Sequence, residues 1–173
     1  MRILLVSATD AVIAPIHGAL RHASPHYIEV LTSGVGMVAT AVWCARALSR
    51  THYDVALNLG VCGSFDPALP PGSVVHVVAD QMPELGAEDG EAFLTIQQMG
   101  LLGDDEFPYR GKQIVNGTPP QSSALHRLPG VTGITVNTVH GDPQSIAAVT
   151  SRFAPQVESM EGAAFMYACR VSD

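Results

Sequence analysis

Short apolar runs alternate along this chain with stretches of helical periodicity. Arg2-Ile3-Leu4-Leu5-Val6, closed by Ser7-Ala8-Thr9-Asp10, has the pattern of a strand buried on both faces that ends in a polar turn. Helical patterning covers residues 12–20, a second strand 27–32, and an alanine-rich helix 37–50 follows Ser33-Gly34-Val35-Gly36. A third buried strand, 54–59, is closed by Gly60-Val61-Cys62-Gly63-Ser64. β-Branched segments at 73–79 and 134–139 raise the expected sheet to at least five strands. Strands alternating with helices in this way predict an α/β fold.

Residues 82–123 interrupt the alternation, being rich in Gly, Pro and acids with weak periodicity. A long irregular stretch inside a compact domain usually carries function, and it is read here as a substrate loop region. Asp142-Pro143 is a helix start, an N-cap acid followed by proline at the first helical position, and it launches 144–152. Pro155 ends that helix, 156–158 reads as extended, and 162–170 reads as a last helix after Met160.

Composition narrows the class. With 173 residues, 47% hydrophobic and 14% charged, the chain is expected to form one domain, 1–173, around a sizeable core. A net charge of -7 with nine scattered Lys and Arg argues against nucleic acid or an anionic membrane as partner, and for a small molecule. No apolar run is long enough to span a bilayer, and the segment after Met1 has no leader pattern, so a cytoplasmic location is expected. Cys44, Cys62 and Cys169 lie far apart with no CxxC pair. All three are read as packing residues, with no disulfide, no metal site and no cofactor expected.

Three strands end in loops of small residues, Ser7-Ala8-Thr9, Ser33 to Gly36 and Gly60 to Ser64. At the carboxyl ends of strands such loops let backbone N–H groups approach a sugar or phosphate, although tight turns alone explain any single one equally well. Gly34-Val35-Gly36-Met37-Val38-Ala39 also fits the dinucleotide fingerprint, with Asp54 at a tolerable distance for a ribose hydroxyl. A dinucleotide-binding oxidoreductase is therefore a rival reading. It is weakened because the fingerprint follows the second strand and the third strand has its own glycine loop.

The stretch Val157-Glu158-Ser159-Met160-Glu161-Gly162-Ala163-Ala164 changes the balance. Glu161 can accept hydrogen bonds from both vicinal hydroxyls of a ribose, and Met160 offers a soft apolar surface to the sugar face. Acids that merely complement a helix dipole are the plainer explanation of this stretch taken by itself.

Together, the two glycine loops and this acidic stretch, in this order, resemble the purine nucleoside phosphorylase and nucleosidase family. The stretches 60–65, 69–75 and 85–91 resemble its futalosine hydrolase branch in particular. The resemblance implies a three-layer sandwich, a central mixed β-sheet flanked by helices, and hydrolysis of futalosine to hypoxanthine and dehypoxanthinyl futalosine in menaquinone biosynthesis. Related alternatives are a methylthioadenosine/adenosylhomocysteine nucleosidase or a nucleoside phosphorylase. The latter would want a basic residue at the loops, and Arg2 and Arg46, the nearest, lie in neither.

The resemblance further implies a ribose site made of Met160, Glu161, Gly60 and Val61, and a purine site made of Thr138, Val139 and His140, with Phe107 as a stacking ring. His140 as an ordinary polar loop residue, and Phe107 as a plug beside Pro108, remain open alternatives. The family's water-activating glutamate falls at Val12 here, and Asp10, two residues out of register, is the nearby acid that could replace it. The family also continues for several tens of residues past the signature helix, so the chain, ending at Asp173, is expected to lack a C-terminal strand and helix. A homodimer is implied as well. An inactive nucleoside-binding fragment is the non-enzymatic alternative.

Overall fold

The computed structural model describes residues 1–173 other than 24, 91, 118, 123 and 173, with the backbone alone described at 17, 19 and 21–23. Glu91, the last residue of the stretch 85–91, and Asp173 thus lie outside the described residues. The chain opens with β1 (Arg2–Ser7), α1 (Asp10–Ala23), β2 (Tyr27–Thr32), α2 (Met37–Leu48) and β3 (Val55–Asn58). These three strands pair in parallel in the order β2-β1-β3. Leu4 and Val6 of β1 are fully buried, which accounts for the continuous apolar run: a strand covered on both faces has no solvent side to make polar.

A second, mixed sheet follows, built from β4 (Gly63–Ser64), β5 (His76–Gln81), β8 (Tyr109–Arg110), β9 (Gln113–Val115), β10 (Gly130–Thr135) and β11 (Val157–Ser159). Its order is β4-β11-β10-β5-β9-β8. β5, β10 and β11 are parallel, whereas β4 and β9 run antiparallel to their neighbours. A separate hairpin pairs β6 (Gly86–Asp89) with β7 (Ala92–Thr95). The two larger sheets, with their covering helices, give the mixed α/β layered architecture expected.

Helices α3 (Pro143–Phe153) and α4 (Gly162–Ser172) take opposite faces of β10 and β11. On one face Ile134 and Val136 pack with Val149 of α3, Phe65 and Phe153. On the other, α4 packs against α2, and Ala168 of α4 joins Leu4, Val6 and Cys44 in a single cluster. Strand alternation sorts the polar residues the same way. Asp80, Gly133, Val157, Thr135 and Ser159 share the α4 face, while Ile134 pairs with Glu158 on the other.

The Asp142 carboxylate accepts hydrogen bonds from the N–H groups of Gln144 and Ser145, at 2.9 and 3.1 Å, as the Asp-Pro signal predicts. Asp142→Ala is expected to lower stability by about 1 kcal/mol, read as a lower urea midpoint at unchanged slope. Ala154, in the left-handed conformation with φ 45, ends α3 ahead of Pro155.

Four expectations are corrected. The strand placed at 134–139 is Gly130–Thr135, because the N–H and side-chain amide of Asn137 turn away to Glu84. The one placed at 73–79 is His76–Gln81. Residues 82–123 are not one irregular loop but hold the β6–β7 hairpin and the β8–β9 pair. Cys62 is exposed in the third glycine loop, unlike buried Cys44 and half-buried Cys169, and so is not a packing residue.

Candidate active site

The three strand-end loops and the acidic stretch meet at the carboxyl ends of the strands. Ser33 and Gly34 donate their N–H groups to the carbonyls of Ser7 and Ala8 at 2.9 and 3.1 Å, tying the second loop to the first. Gly34 and Gly36 have φ of 89 and 94, a region that side-chain-bearing residues avoid. This conformation turns the Gly36 N–H outward at the start of α2, where no side chain of the local sequence caps the helix. The Glu161 carboxylate, 125 residues away, accepts that N–H through Oε1 at 2.8 Å.

Glu161 is free to do this because other groups serve its own helix. A helix start leaves N–H groups without partners, and at α4 the Ser159 hydroxyl accepts from Gly162 at 3.1 Å and the Thr135 hydroxyl from Ala163 at 2.7 Å. With Oε1 held at Gly36, the Oε2 oxygen and the remaining lone pairs are available to hydroxyl donors. Met160, beside it, is half-buried. The third loop arrives through the antiparallel pairing of Gly63 and Ser64 with Glu158 and Val157. It leaves Gly60 and Val61 exposed.

Residues 137–140 form the adjoining wall. Glu84 accepts from the Asn137 N–H at 3.0 Å and its side-chain amide at 2.8 Å. Thr138 and Val139 stay exposed. His140 is clamped: Glu158 accepts its backbone N–H at 3.0 Å through Oε1 and meets Nδ1 at 2.7 Å through Oε2. The Glu158 side chain is 5% exposed and that of His140 17%, so the carboxylate is shielded while the ring retains access to solvent. Phe65 packs edge-on against the imidazole at 6.1 Å. When Nδ1–H donates to Glu158, Nε2 is the ring's second hydrogen-bonding atom.

Not every expected residue is gathered here. Asp10 begins α1 and its Oδ1 accepts the Thr32 hydroxyl at 2.6 Å, which places it beside the end of β2 with one oxygen committed. Val12 is in the same turn and half-buried. Phe107 lies under the Arg170 guanidinium, 5.7 Å from its ring centre, in the last turn of α4, whereas Glu161 precedes the first. Nine residues of helix separate them by about 13 Å along the axis. Within one chain the structure does not bring Phe107 to Glu161.

Asp54 sits at the start of β3, where Oδ2 accepts the Arg2 N–H at 2.6 Å. That bond holds its carboxyl below the usual range. This is the opposite end of the sheet from Gly34 and Gly36, and a dinucleotide site needs both at the carboxyl ends. Moreover Glu161, an anion, occupies the start of α2 where a pyrophosphate would sit. The dinucleotide reading therefore lacks its geometry. Arg2 lies over Tyr27 and Arg46 over Trp43, and neither reaches the loops.

Asp80 is a residue that sequence reasoning missed. It is 1% exposed, and its Oδ1 accepts the Thr135 hydroxyl at 3.1 Å. Burial pushes its carboxyl up to about 7. A cavity of about 310 Å³ lined by Gln81, Phe93, Tyr109 and Arg152 among others includes none of the residues gathered around Glu161.

A futalosine hydrolase of Streptomyces coelicolor is 30% identical over 151 residues, covering 84% of this chain and 62% of that protein. A futalosine hydrolase of Thermus thermophilus is 27% identical, covering 80% and 61%. The chain thus spans about three-fifths of the length of these curated relatives. Among solved structures, a futalosine hydrolase mutant of Helicobacter pylori superposes with a TM-score of 0.73 at 16% identity, covering 99% of this chain and 84% of that one. The 5'-methylthioadenosine/S-adenosyl homocysteine nucleosidase of Campylobacter jejuni does so with 0.74 at 18%, covering 99% and 80%. Residues 24–172 match the family described as the phosphorylase superfamily, and the chain belongs to that superfamily.

Proposed function

We propose that the chain forms the ribose-binding part of a purine nucleosidase site that hydrolyses the N-glycosidic bond of futalosine, releasing hypoxanthine and dehypoxanthinyl futalosine, a step of menaquinone biosynthesis. The observation that carries this reading is the position of Glu161, a carboxylate fixed by Gly36 at the meeting point of three strand-end loops. Water attacks the anomeric carbon and gives up a proton as the C–N bond breaks, the departing purine takes up a proton from solvent, and the transition state resembles an oxocarbenium ion. Glu161 accepts from the vicinal ribose hydroxyls and so favours positive character at the neighbouring carbon, while Met160 lies along the sugar face. Gly60 and Val61 border the sugar and the water.

Thr138, Val139 and His140 face the purine. The buried Glu158 orients the imidazole, so His140 presents a fixed hydrogen-bonding atom to the base. Asp10 is assigned the activation of water through its second oxygen, since Thr32 takes the first. Water is favoured over phosphate as nucleophile because Arg2 and Arg46 lie elsewhere. No metal or cofactor enters this scheme. A cytoplasmic homodimer fits the exposed apolar side chains Val38 and Val42, one helical turn apart at the start of α2, with exposed Val35 in the loop before them. Phe107 could act in such an assembly only from another chain.

A second reading is a methylthioadenosine/adenosylhomocysteine nucleosidase. The name of a Colwellia psychrerythraea relative, 26% identical over 152 residues, favours it. The deciding experiment incubates the protein with futalosine, inosine and methylthioadenosine and follows free base by chromatography, beside Val12→Glu and Asp10→Asn. Hypoxanthine from futalosine is expected, faster with Val12→Glu and lost with Asp10→Asn. Adenine from methylthioadenosine in preference would establish the second reading. Binding of nucleosides with no base released by any of the three proteins would reduce the chain to a nucleoside-binding fragment.

A further inference from the structure

The Asp80 carboxyl lies beneath the start of α4 and has no part in the scheme above. Its Oδ1 accepts the Thr135 hydroxyl at 3.1 Å, and the same hydroxyl oxygen accepts the Ala163 N–H at 2.7 Å. Its Oδ2 stands against Gly133 on one side and Gly162 on the other. A Cβ built on Gly133 would come within 3.1 Å of that oxygen, and one on Gly162 would collide with it. The acid therefore fills a slot that two glycines leave open, between the central strand of the sheet and the first turn of the signature helix.

A hydroxyl carries one proton, so a Thr135 that accepts from Ala163 must aim its O–H elsewhere. Asp80 supplies the acceptor. Without it, the Thr135 rotor loses the bond that keeps its lone pairs toward Ala163, and the first turn of α4 loses a fixed anchor. Glu161 is the residue immediately before that turn, and its reach to Gly36 depends on where the turn begins.

We propose that Asp80 is a positioning residue for the ribose site, acting through the Thr135 hydroxyl and the Ala163 N–H to set the start of α4 and hence the placement of Glu161 against Gly36. This rests on the reading of Glu161 as the ribose ligand, but its structural half is measurable without substrate.

The experiment is amide hydrogen exchange by NMR on the wild type, Asp80→Ala, Asp80→Asn, Thr135→Val and Thr135→Ser, with kcat and KM for nucleoside cleavage measured in parallel. The amides of Ala163 and Gly36 report the two ends of the linkage, and that of Leu5 in β1 reports general stability. Exchange at both Ala163 and Gly36 is expected to accelerate about tenfold in Asp80→Ala and Thr135→Val, as loss of one hydrogen bond implies. It should stay near wild type in Asp80→Asn and Thr135→Ser, which keep the acceptor and the hydroxyl, and Leu5 should not change. In the same two variants KM should rise more than kcat falls.

Faster exchange at Ala163 with Gly36 unmoved overturns the proposal, as does a matching rise at Leu5, which marks plain destabilisation. If the wild type releases no base, the assigned activity fails while the exchange pattern still decides whether Asp80 places Glu161.

Discussion

Glu161→Ala is expected to lower kcat/KM for purine nucleoside cleavage by on the order of 10²–10³-fold. A hydrogen bond to a charged group contributes about 1.5–3 kcal/mol. Losing a carboxylate that accepts from two ribose hydroxyls removes about 3–4 kcal/mol of transition-state stabilisation, at roughly 1.36 kcal/mol per decade of rate. The fold should suffer far less. Gly36 is half-buried, so water can replace the lost acceptor of its N–H at a cost of about 1 kcal/mol or less. Steady-state kinetics beside urea unfolding separates the two. A variant that unfolds normally and cleaves like wild type would remove Glu161 from the site.

Stability should fall as pH rises from about 4 to about 7, and Asp80→Asn should remove most of that slope. The carboxyl is raised from 3.8 to about 7 in the folded protein, first of all by burial, with the Thr135 hydroxyl and the Gln81 N–H opposing. Because the folded pKa lies above the unfolded one, the folded chain holds a proton that the unfolded chain has already released. The stabilisation is complete below the unfolded pKa and is lost as pH climbs through the folded one. A shift of this size corresponds to about 4 kcal/mol at most, large against the total stability of a domain. Denaturant titrations at pH 4.5 and pH 8 test it. Parallel losses in wild type and Asp80→Asn between those two pH values would show that another group carries the dependence.

Much of the architecture was legible because it follows from local pattern. The buried run at Ile3 to Val6 can only be a covered strand, and Asp142-Pro143 defines a helix start by its own chemistry. The bounds of β10 were not legible, since Gly130 and Gly133 dilute its β character while Val136 to Val139 look extended. What bends residues 137–140 out of the sheet is Glu84, 53 positions away, and no local signal encodes it. The hairpin at Gly86 to Thr95 did have a signal, the Asp89-Gly90 turn with Gly90 at φ 62, but the surrounding acids and glycines disguised it as loop.

The candidate site divides along the same line. Glu161 and the glycine loops stand out because their residues lie in contiguous stretches whose order along the chain can be read directly. Asp80 does not, because an acid inside a strand reads as a solvent-facing position until Gly133, Thr135 and Gly162 are seen to close over it. Glu158 was hidden likewise, its partner His140 lying 18 positions earlier. Asp54 shows the converse error: spacing alone suggested a ligand contact, and the fold places it at the far edge beside Arg2.

The sorting of polar groups onto the two faces of β10 and β11 bears on how β11 avoids misfolding. A slip of one residue in its pairing would turn every side chain to the opposite face. Glu158 would then be delivered among Asp80 and the Thr135 hydroxyl, two acids in apolar surroundings, while Ser159 would be offered to His140 in place of a carboxylate. The wrong alignment strands an acid at one end and starves a histidine at the other, so three residues of strand carry their own proofreading against it.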